Sequence, residues 1–364
     1  MNVLVSSRSA FATYLISPRL FFINYHAFGR GLQRKVLSEN LEVGLFCHEV
    51  CMSVLGGRSE EEVIKEQTEK FNHLAETRGF DSIHPPELFL NLAIGLSKAW
   101  IRVRLSAIEQ DYEVLCVEEE RSLDLHDDDF HLILPVRLDA ELRHKKLGTY
   151  HALEMKTTRS KQGYYFERFG YDIQTLMHSW VISYFHPNPH DCHSILMEFL
   201  YKGYENGKVF YSPFVRGFVK MGIPPYDETE YEVESKFARR KDWNPFNVWE
   251  EFNQDEWANK FRKILDSQIL NMTVTRNTEA ELEDFKDQIF AAHKRIQVGL
   301  KALEVCVDEN QRNQLLNTYF PLAYHQFDHH LINFDMEEAI ESGDYLIREP
   351  HHPLEKQMLD EKLQ

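Results

Sequence analysis

The spacing of hydrophobic positions predicts that the first part of the chain is helical. A segment at 9–26 is dense in aromatic residues and is broken by Pro18. A second segment over 59–78 has apolar residues on one face and begins with a Ser-x-x-Glu capping box. We therefore predict an N-terminal helical part over 1–110.

The next part of the chain changes to short apolar runs of strand length. The predicted strands cover 112–118, 132–138, 153–158, 193–201 and 208–216. An acidic stretch at 126–129 indicates a turn, and Asn206-Gly207 between the last two strands is a strong hairpin signal. A helix is expected at about 168–185. The pattern over 111–220 predicts a mixed central β-sheet flanked by helices, in the α/β (α+β) class.

Beyond Pro224 the pattern returns to helical spacing. Two helices are expected, at about 246–268 and 279–305. We therefore predict that residues 221–364 form a helical C-terminal part that packs on the core.

Composition narrows the class of protein. The chain has 364 residues, 43% of them hydrophobic, and a formal net charge of −17, which argues against non-specific coating of nucleic acid. Five scattered cysteines do not form a pair-of-pairs metal motif and indicate a reducing, cytoplasmic compartment. No run of about 18 apolar residues occurs, so we expect no membrane contact.

Candidate catalytic residues lie at the end of one predicted strand and within a later one. Asp139 follows the apolar run at 132–138, and Glu154 and Lys156 are two positions apart in a later strand. Residues i and i+2 of a strand share a face, so Glu154 and Lys156 point the same way and Leu153 and Met155 the other. Two carboxylates suit a hard cation, and a lysine beside them suits a water activated by that cation. An isolated Glu-x-Lys is usually a solvated strand face, and the preceding aspartate favours a site.

Together, Asp139, Glu154-Met155-Lys156 and Gln174 on the following helix resemble the PD-(D/E)XK nuclease superfamily. The similarity is to the branch of RecB-like and CRISPR-adaptation nucleases of phages and prokaryotes. Two further matches to this branch are a Gly-x-x-x-His helix at Gly44 and His48, and a Val-Glu pair at 117–118. The resemblance covers about residues 10–220.

The resemblance implies a restriction-endonuclease-like core and a site that cleaves DNA at duplex ends or in single strands. His48, Asp139, Glu154 and the backbone carbonyl of Met155 would hold one Mg²⁺ or Mn²⁺ ion. Lys156 would orient the attacking water or stabilise charge in the transition state, and Gln174 would hold the nucleic-acid backbone or the water. Arg159 and Lys161, just past the strand, are expected to contact phosphates.

The chain departs from the branch in two places. Position 178 is His where the branch has Tyr, one turn after Gln174. Many members bind an iron–sulfur cluster through cysteines near both ends, whereas Ser17 stands at the first cysteine position of this chain. The stretch from Tyr319 to Phe334 contains no cysteine, so an iron–sulfur cluster is not expected.

Three functions remain open. The first is an active metal-dependent deoxyribonuclease, either an exonuclease or an end-processing enzyme. The second is a catalytically degenerate member of the superfamily that binds nucleic acid or a protein partner. The third is a hydrolase of another phosphate ester. The presence of both acidic and basic site residues favours the first.

Overall fold

The computed structural model describes residues 2–82, 86–158, 172–188, 194–201, 269–274, 277–322, 336–349 and 356–357. Its helices are α1 (Arg8–Ile16), α2 (Pro18–Tyr25), α3 (Glu39–Leu55), α4 (Glu60–Arg78), α5 (Pro86–Trp100), α6 (Ser106–Asp111), α7 (Ile173–Phe185), α8 (Glu279–Glu304), α9 (Glu309–Tyr319) and α10 (Met336–Glu341). A short 3₁₀ turn covers Ala27–Gly29, and a π-helical stretch over Ile101–Leu105 joins α5 to α6. None of the described helices combines the length and apolar character needed to cross a membrane.

The strands form three sheets. They are β1 (Asn2–Val5), β2 (Leu32–Arg34), β3 (Tyr112–Val117), β4 (Glu120–His126), β5 (Phe130–Arg137), β6 (Ala140–His144), β7 (Tyr150–Thr158), β8 (Ser194–Tyr201), β9 (Ile269–Val274) and β10 (Tyr345–Ile347). The largest sheet has the order β3-β6-β7-β8-β9, in which β7 and β8 are parallel and the other neighbours antiparallel. A second sheet has the order β1-β5-β4, and β2 pairs with β10.

Helices cover both faces of the five-stranded sheet. On one face, Leu153 and Met155 of β7 pack into a core shared with α3, α4 and α5. On the other face, Ala152 of β7 joins a second core that contains α7, α8, α1, α2 and the β1-β5-β4 sheet. Because successive side chains of β7 point to opposite faces, the strand contributes residues to two separate hydrophobic cores. The structure is a mixed arrangement of helices and sheets, as the α+β prediction expected.

Several predicted elements are confirmed with small shifts in their ends. Pro18 separates α1 from α2, and the hydroxyl of Ser17 caps α2 by accepting a hydrogen bond from the Leu20 amide at 3.2 Å. The acidic turn is also confirmed, because Asp127 accepts hydrogen bonds from two backbone amides between β4 and β5. The predicted helix over 279–305 is α8, which begins with a capping box at Thr278 and Glu281.

Two predictions about the sheet need correction. The strand before Asp139 exists as β5, but it lies in the three-stranded sheet and not beside β7. The neighbour of β7 is β6, which lies between two predicted strands in a stretch for which no strand was predicted, and Ala140 pairs there with Leu153. The sequence of β6 shows no clear alternation of apolar and polar residues, because Glu141 is polar but almost fully buried. It contacts Arg121 and His186 instead of solvent. A polar residue satisfied by ion pairs looks like loop sequence although it is interior.

In the described residues of the C-terminal part, two strands occur where only helices were predicted. Residues 269–274 form β9, which pairs with β8 and completes the central sheet, and 345–347 form β10. Such short strands contain too few residues to show a clear alternation of apolar and polar positions. Their formation depends on pairing with strands that are distant in the chain. The predicted strand at 208–216 and the predicted helix at 246–268 lie outside the described residues.

Arg19 joins the N-terminal helices to the end of α9. Its buried guanidinium donates from Nε to the carbonyl oxygen of Phe320 at 2.6 Å and from Nη2 to Oδ1 of Asn317 at 2.8 Å. The rings of Phe21 and Phe22 pack against the ring of Phe320. Burial lowers the pKa of Arg19 to about 10, so the side chain stays charged at neutral pH. A charged hydrogen-bond pair and aromatic packing thus connect segments about 300 residues apart.

We predict that Arg19→Met lowers the free energy of unfolding by about 3 kcal/mol, because both hydrogen bonds are lost and the Phe320 carbonyl stays buried. Arg58→Met is the control, since exposed Arg58 pairs with exposed Glu66 and its loss should cost less than about 1 kcal/mol. Urea unfolding measures both changes. Equal losses in the two variants would contradict a structural role for the Arg19 contacts.

Candidate active site

Strand β7 places Glu154 and Lys156 on the face that meets α7. Leu153 and Met155 are buried in the opposite core, as the two-residue period predicts. Glu154 is 2% exposed, which is unusual for a carboxylate, and Lys156 is about a third exposed. The pair is therefore not the solvated strand face that Glu-x-Lys usually forms.

Glu154 is held by groups from both β7 and α7. Its Oε1 atom accepts hydrogen bonds from Nζ of Lys156 and from Nε2 of Gln174. Helix α7 begins with Asp172, whose side chain accepts from the Gln174 amide at 2.8 Å, and this cap fixes the position of Gln174 in the first turn. The structure thus brings together three of the predicted site residues.

His178 lies one turn after Gln174 and faces the other oxygen of Glu154. Its Nδ1 atom is 3.4 Å from Oε2 of Glu154, and both residues are 2% exposed. Neither atom has a hydrogen-bond partner among the described residues. Burial lowers the pKa of His178, although the charge of Glu154 opposes this, so the ring is neutral at pH 7. His178, at which the sequence departs from the branch that it resembles, therefore contacts a predicted site residue.

Asp139 connects this group to α3. Its Oδ1 atom is 2.9 Å from Nε2 of His48, and its Oδ2 atom accepts a hydrogen bond from the Met155 amide at 2.7 Å. Met155 therefore reaches the site through its amide, while its side chain is buried in the core beside α3. Burial alone would raise the pKa of Asp139, but the charges of His48 and Lys156 and the amide bond lower it to about 2.

The position of His48 depends on a glycine one turn earlier. A Cβ atom on Gly44 would lie 3.0 Å from Oγ1 of Thr157, so only glycine lets α3 approach β7 this closely without displacing that side chain. Burial alone would lower the pKa of His48, but the contact with Asp139, helped by Glu118 and Glu154, raises it to about 9. Without a metal, the imidazole carries the positive charge that these carboxylates require.

Glu118 belongs to this group although it was not among the predicted site residues. Its Oε1 atom is 3.2 Å from Nε2 of His48, and its amide donates to the carbonyl oxygen of Asp139 at 3.1 Å. Its φ of 56° is strained for a residue with a side chain and is found where surrounding structure imposes it. The Val117-Glu118 pair was the sequence feature that could have indicated this residue. The backbone conformation that directs Glu118 toward His48 cannot be predicted from the residue types.

The donor atoms suit a hard divalent cation in part. His48, Glu49 and Glu118 each offer a ligand atom within 4.8 Å of the others, the one such group in the part of the chain that the structure describes. Asp139 lies against His48, whereas Glu154 is held on the α7 side. Oε1 of Glu118 and Oε2 of Glu154 are buried and accept no hydrogen bond among the described residues, so each retains a lone pair suited to a cation. Of the predicted ligand residues, only His48 belongs to this group; Asp139 contacts His48, and Glu154 lies with Lys156 and Gln174 on the α7 side.

Comparison with known proteins adds no assignment. A scan against protein-family models finds no family that matches the chain. A search of curated proteins finds no matching sequence. The site is therefore interpreted from its geometry and from the motifs in the sequence.

We predict that Asp139→Asn lowers the melting temperature in EDTA, because the contact with charged His48 weakens. Mn²⁺ should raise the melting temperature of the parent protein, since a ligand that binds the folded state stabilises it, and should raise that of the variant much less. Asp124→Asn, which alters an exposed contact with His131, is the control and should respond to Mn²⁺ like the parent. A Mn²⁺ shift in Asp139→Asn equal to that of the parent would exclude Asp139 as a ligand.

Proposed function

We propose that this protein is a metal-dependent nuclease that hydrolyses DNA phosphodiester bonds, as an exonuclease or an end-processing enzyme. The observation that carries this proposal is the contact of Lys156 and Gln174 with the same oxygen of Glu154, beside Asp139 on the neighbouring chain segment. Glu154 is 2% exposed and Asp139 is 8% exposed, so two carboxylates are desolvated side by side, an arrangement more typical of functional sites than of hydrophobic cores.

The order of elements supports a restriction-endonuclease-like core as part of the same proposal. Helix α3 comes first, then β3, β6 and β7 as antiparallel neighbours, then α7, and then β8 parallel to β7. The sequence predicted a helix, three strands, a helix and a hairpin; in the central sheet β6 takes the place of the predicted strand at 132–138, and the second strand of the predicted hairpin lies outside the described residues. The inserted β4-β5 hairpin pairs with β1 in another sheet, so it leaves the order within the central sheet unchanged.

Each residue of the site has a task in phosphodiester hydrolysis. Held by Asp139, Glu154 and His48, a Mg²⁺ or Mn²⁺ ion would polarise the scissile phosphate and lower the pKa of the attacking water. Lys156 is partly exposed and contacts Glu154, and in this proposal its ammonium group would orient that water and stabilise negative charge in the transition state. Gln174 fixes the Glu154 carboxylate from the side of α7.

His178 takes part by holding Glu154 in place. A neutral imidazole with its proton on Nδ1 would donate to Oε2 of Glu154, which lies 3.4 Å away. Partners of this kind fix the orientation of a ligating carboxylate and raise its affinity for metal. The substitution of His for Tyr at this position is therefore compatible with an active site.

A binding module without nuclease activity is the second candidate. It is favoured by the internal contacts of the donor atoms, since Oε1 of Glu154 already accepts from two side chains and Nε2 of His48 contacts two carboxylates. Such a protein would bind DNA or a protein partner but would leave labelled DNA intact with Mg²⁺ or Mn²⁺. The same cleavage assay therefore separates the two candidates.

We predict that the protein degrades linear DNA with Mg²⁺ or Mn²⁺ and not with EDTA. Lys156→Ala should slow cleavage by about a hundredfold or more, because a preorganised charge at the transition state is lost. Binding of Mn²⁺ should persist, since the ammonium group is not a ligand. Lys146→Ala, which removes an exposed lysine from the β6-β7 turn, is the control and should cleave like the parent. Undiminished cleavage by Lys156→Ala would exclude this strand as the active one.

We also predict that His178→Leu weakens binding of Mn²⁺ by about tenfold to a hundredfold, because Glu154 loses the group that faces its second oxygen. His178→Gln keeps a donor at nearly the same place and should recover most of the affinity. Titration calorimetry in the absence of DNA measures both. Equal affinity in the parent and His178→Leu would mean that His178 only fills space in the core.

A further inference from the structure

A cavity of about 470 Å³ lies away from the candidate active site, between the N-terminal helices and the α8-α9 pair. This volume is within the range of small-ligand sites, about 300–1,000 Å³. The residues that matter for its chemistry are Tyr14, Pro18, Lys294, Arg295, Val298 and Tyr319. Among the described residues, no carboxylate lines the cavity, although the whole chain carries a net charge of −17.

The walls of the cavity are fixed by close packing. A Cβ atom on Gly299 of α8 would lie 2.7 Å from Cβ of Tyr319, so glycine is required for α9 to end against α8. The Arg19 hydrogen bonds to Asn317 and Phe320 attach the same end of α9 to α2. Tyr14 packs edge-on against Phe21, with 5.4 Å between ring centroids. The aromatic rings are therefore in place before any ligand arrives, which reduces the entropy lost on binding.

The positive charge of the cavity comes mainly from Arg295. Lys294 pairs with Asp127 and lies over the ring of Phe290, so part of its charge is already balanced. Arg295 is exposed and has no hydrogen bond or ion pair within the described part of the chain, and its charge acts on the neighbouring Tyr14 hydroxyl. An arginine with its donors available, beside a second cation, is suited to bind a phosphate group.

We propose that this cavity binds one nucleotide unit, with its phosphate at Arg295 and Lys294 and its base against the rings of Tyr14 and Tyr319. Stacking on aromatic rings beside cations that contact phosphate is the chemistry by which proteins bind nucleotides without reading their sequence. Pro18 and Val298 supply apolar surface for the base. The unit has two sources, a free nucleotide or a nucleotide within a DNA strand. The site is separate from the proposed nuclease centre and does not depend on its activity.

The test is fluorescence anisotropy with a short labelled oligothymidylate and the full-length protein in EDTA, so that cleavage plays no part. Arg295→Ala should weaken binding by about tenfold and reduce the salt dependence by about 0.7 in log–log slope, as expected for one lost phosphate contact on a single strand. Arg312→Ala removes an exposed arginine from α9 outside the cavity and should bind like the parent. Equal binding by the parent and Arg295→Ala would overturn the proposal.

Competition experiments distinguish a free nucleotide from a nucleotide within a strand, and they test whether the base binds to the tyrosine rings. Displacement of the probe by thymidine monophosphate, much better than by inorganic phosphate, indicates a site for free nucleotides. Failure of the monophosphate to displace a probe that still depends on Arg295 indicates a site for a strand. Displacement of the probe by inorganic phosphate at the same concentration as by the monophosphate would overturn the role of the base. Tyr319→Phe should keep the affinity and Tyr14→Leu should reduce it, and circular dichroism checks that both variants fold.

Discussion

The carboxylate of Asp139 joins two layers of the fold, because one oxygen contacts His48 of α3 and the other accepts the Met155 amide of β7. The rest of the site is arranged around this side chain. On one side are α3 and the strained backbone of Glu118, and on the other are β7 and α7 with Glu154. A buried acid that joins a helix to a strand edge must have a positive partner, and the protonated imidazole of His48 supplies it.

The alternation along β7 explains how one strand serves packing and chemistry at once. Leu153 and Met155 are held in the α3 core, and Glu154 and Lys156 face α7 with little freedom of their own. A shift of register by one residue would place the charged pair in the α3 core and the apolar pair on the α7 face. The burial of Leu153 and Met155 therefore fixes the register of β7 and, with it, the positions of Glu154 and Lys156.

The sequence was sufficient for the parts of this protein that depend on local chemistry. Pro18, the acidic turn and the Ser59 cap of α4 act within a few residues, and periodicity alone placed Glu154 and Lys156 on one face. The sequence was insufficient where contacts with residues distant in the chain determine the local structure. Glu141 looks like loop sequence because its partners Arg121 and His186 are far away in the chain, and β9 owes its pairing to β8. The place of Glu118 beside His48 likewise depends on a backbone angle, which residue types do not encode.

The contact between Arg19 and Phe320 has a consequence for synthesis on the ribosome. The two residues are 301 positions apart, and translation adds about 5–20 residues per second, so their meeting must wait roughly 15–60 s after Arg19 is made. During that interval the aromatic faces of Phe21 and Phe22 lack Phe320 as a cover. Until α9 has been made, Phe21 has only its local aromatic partners Tyr14, Tyr25 and His26 among the described residues, so the final packing of α2 is completed late in synthesis.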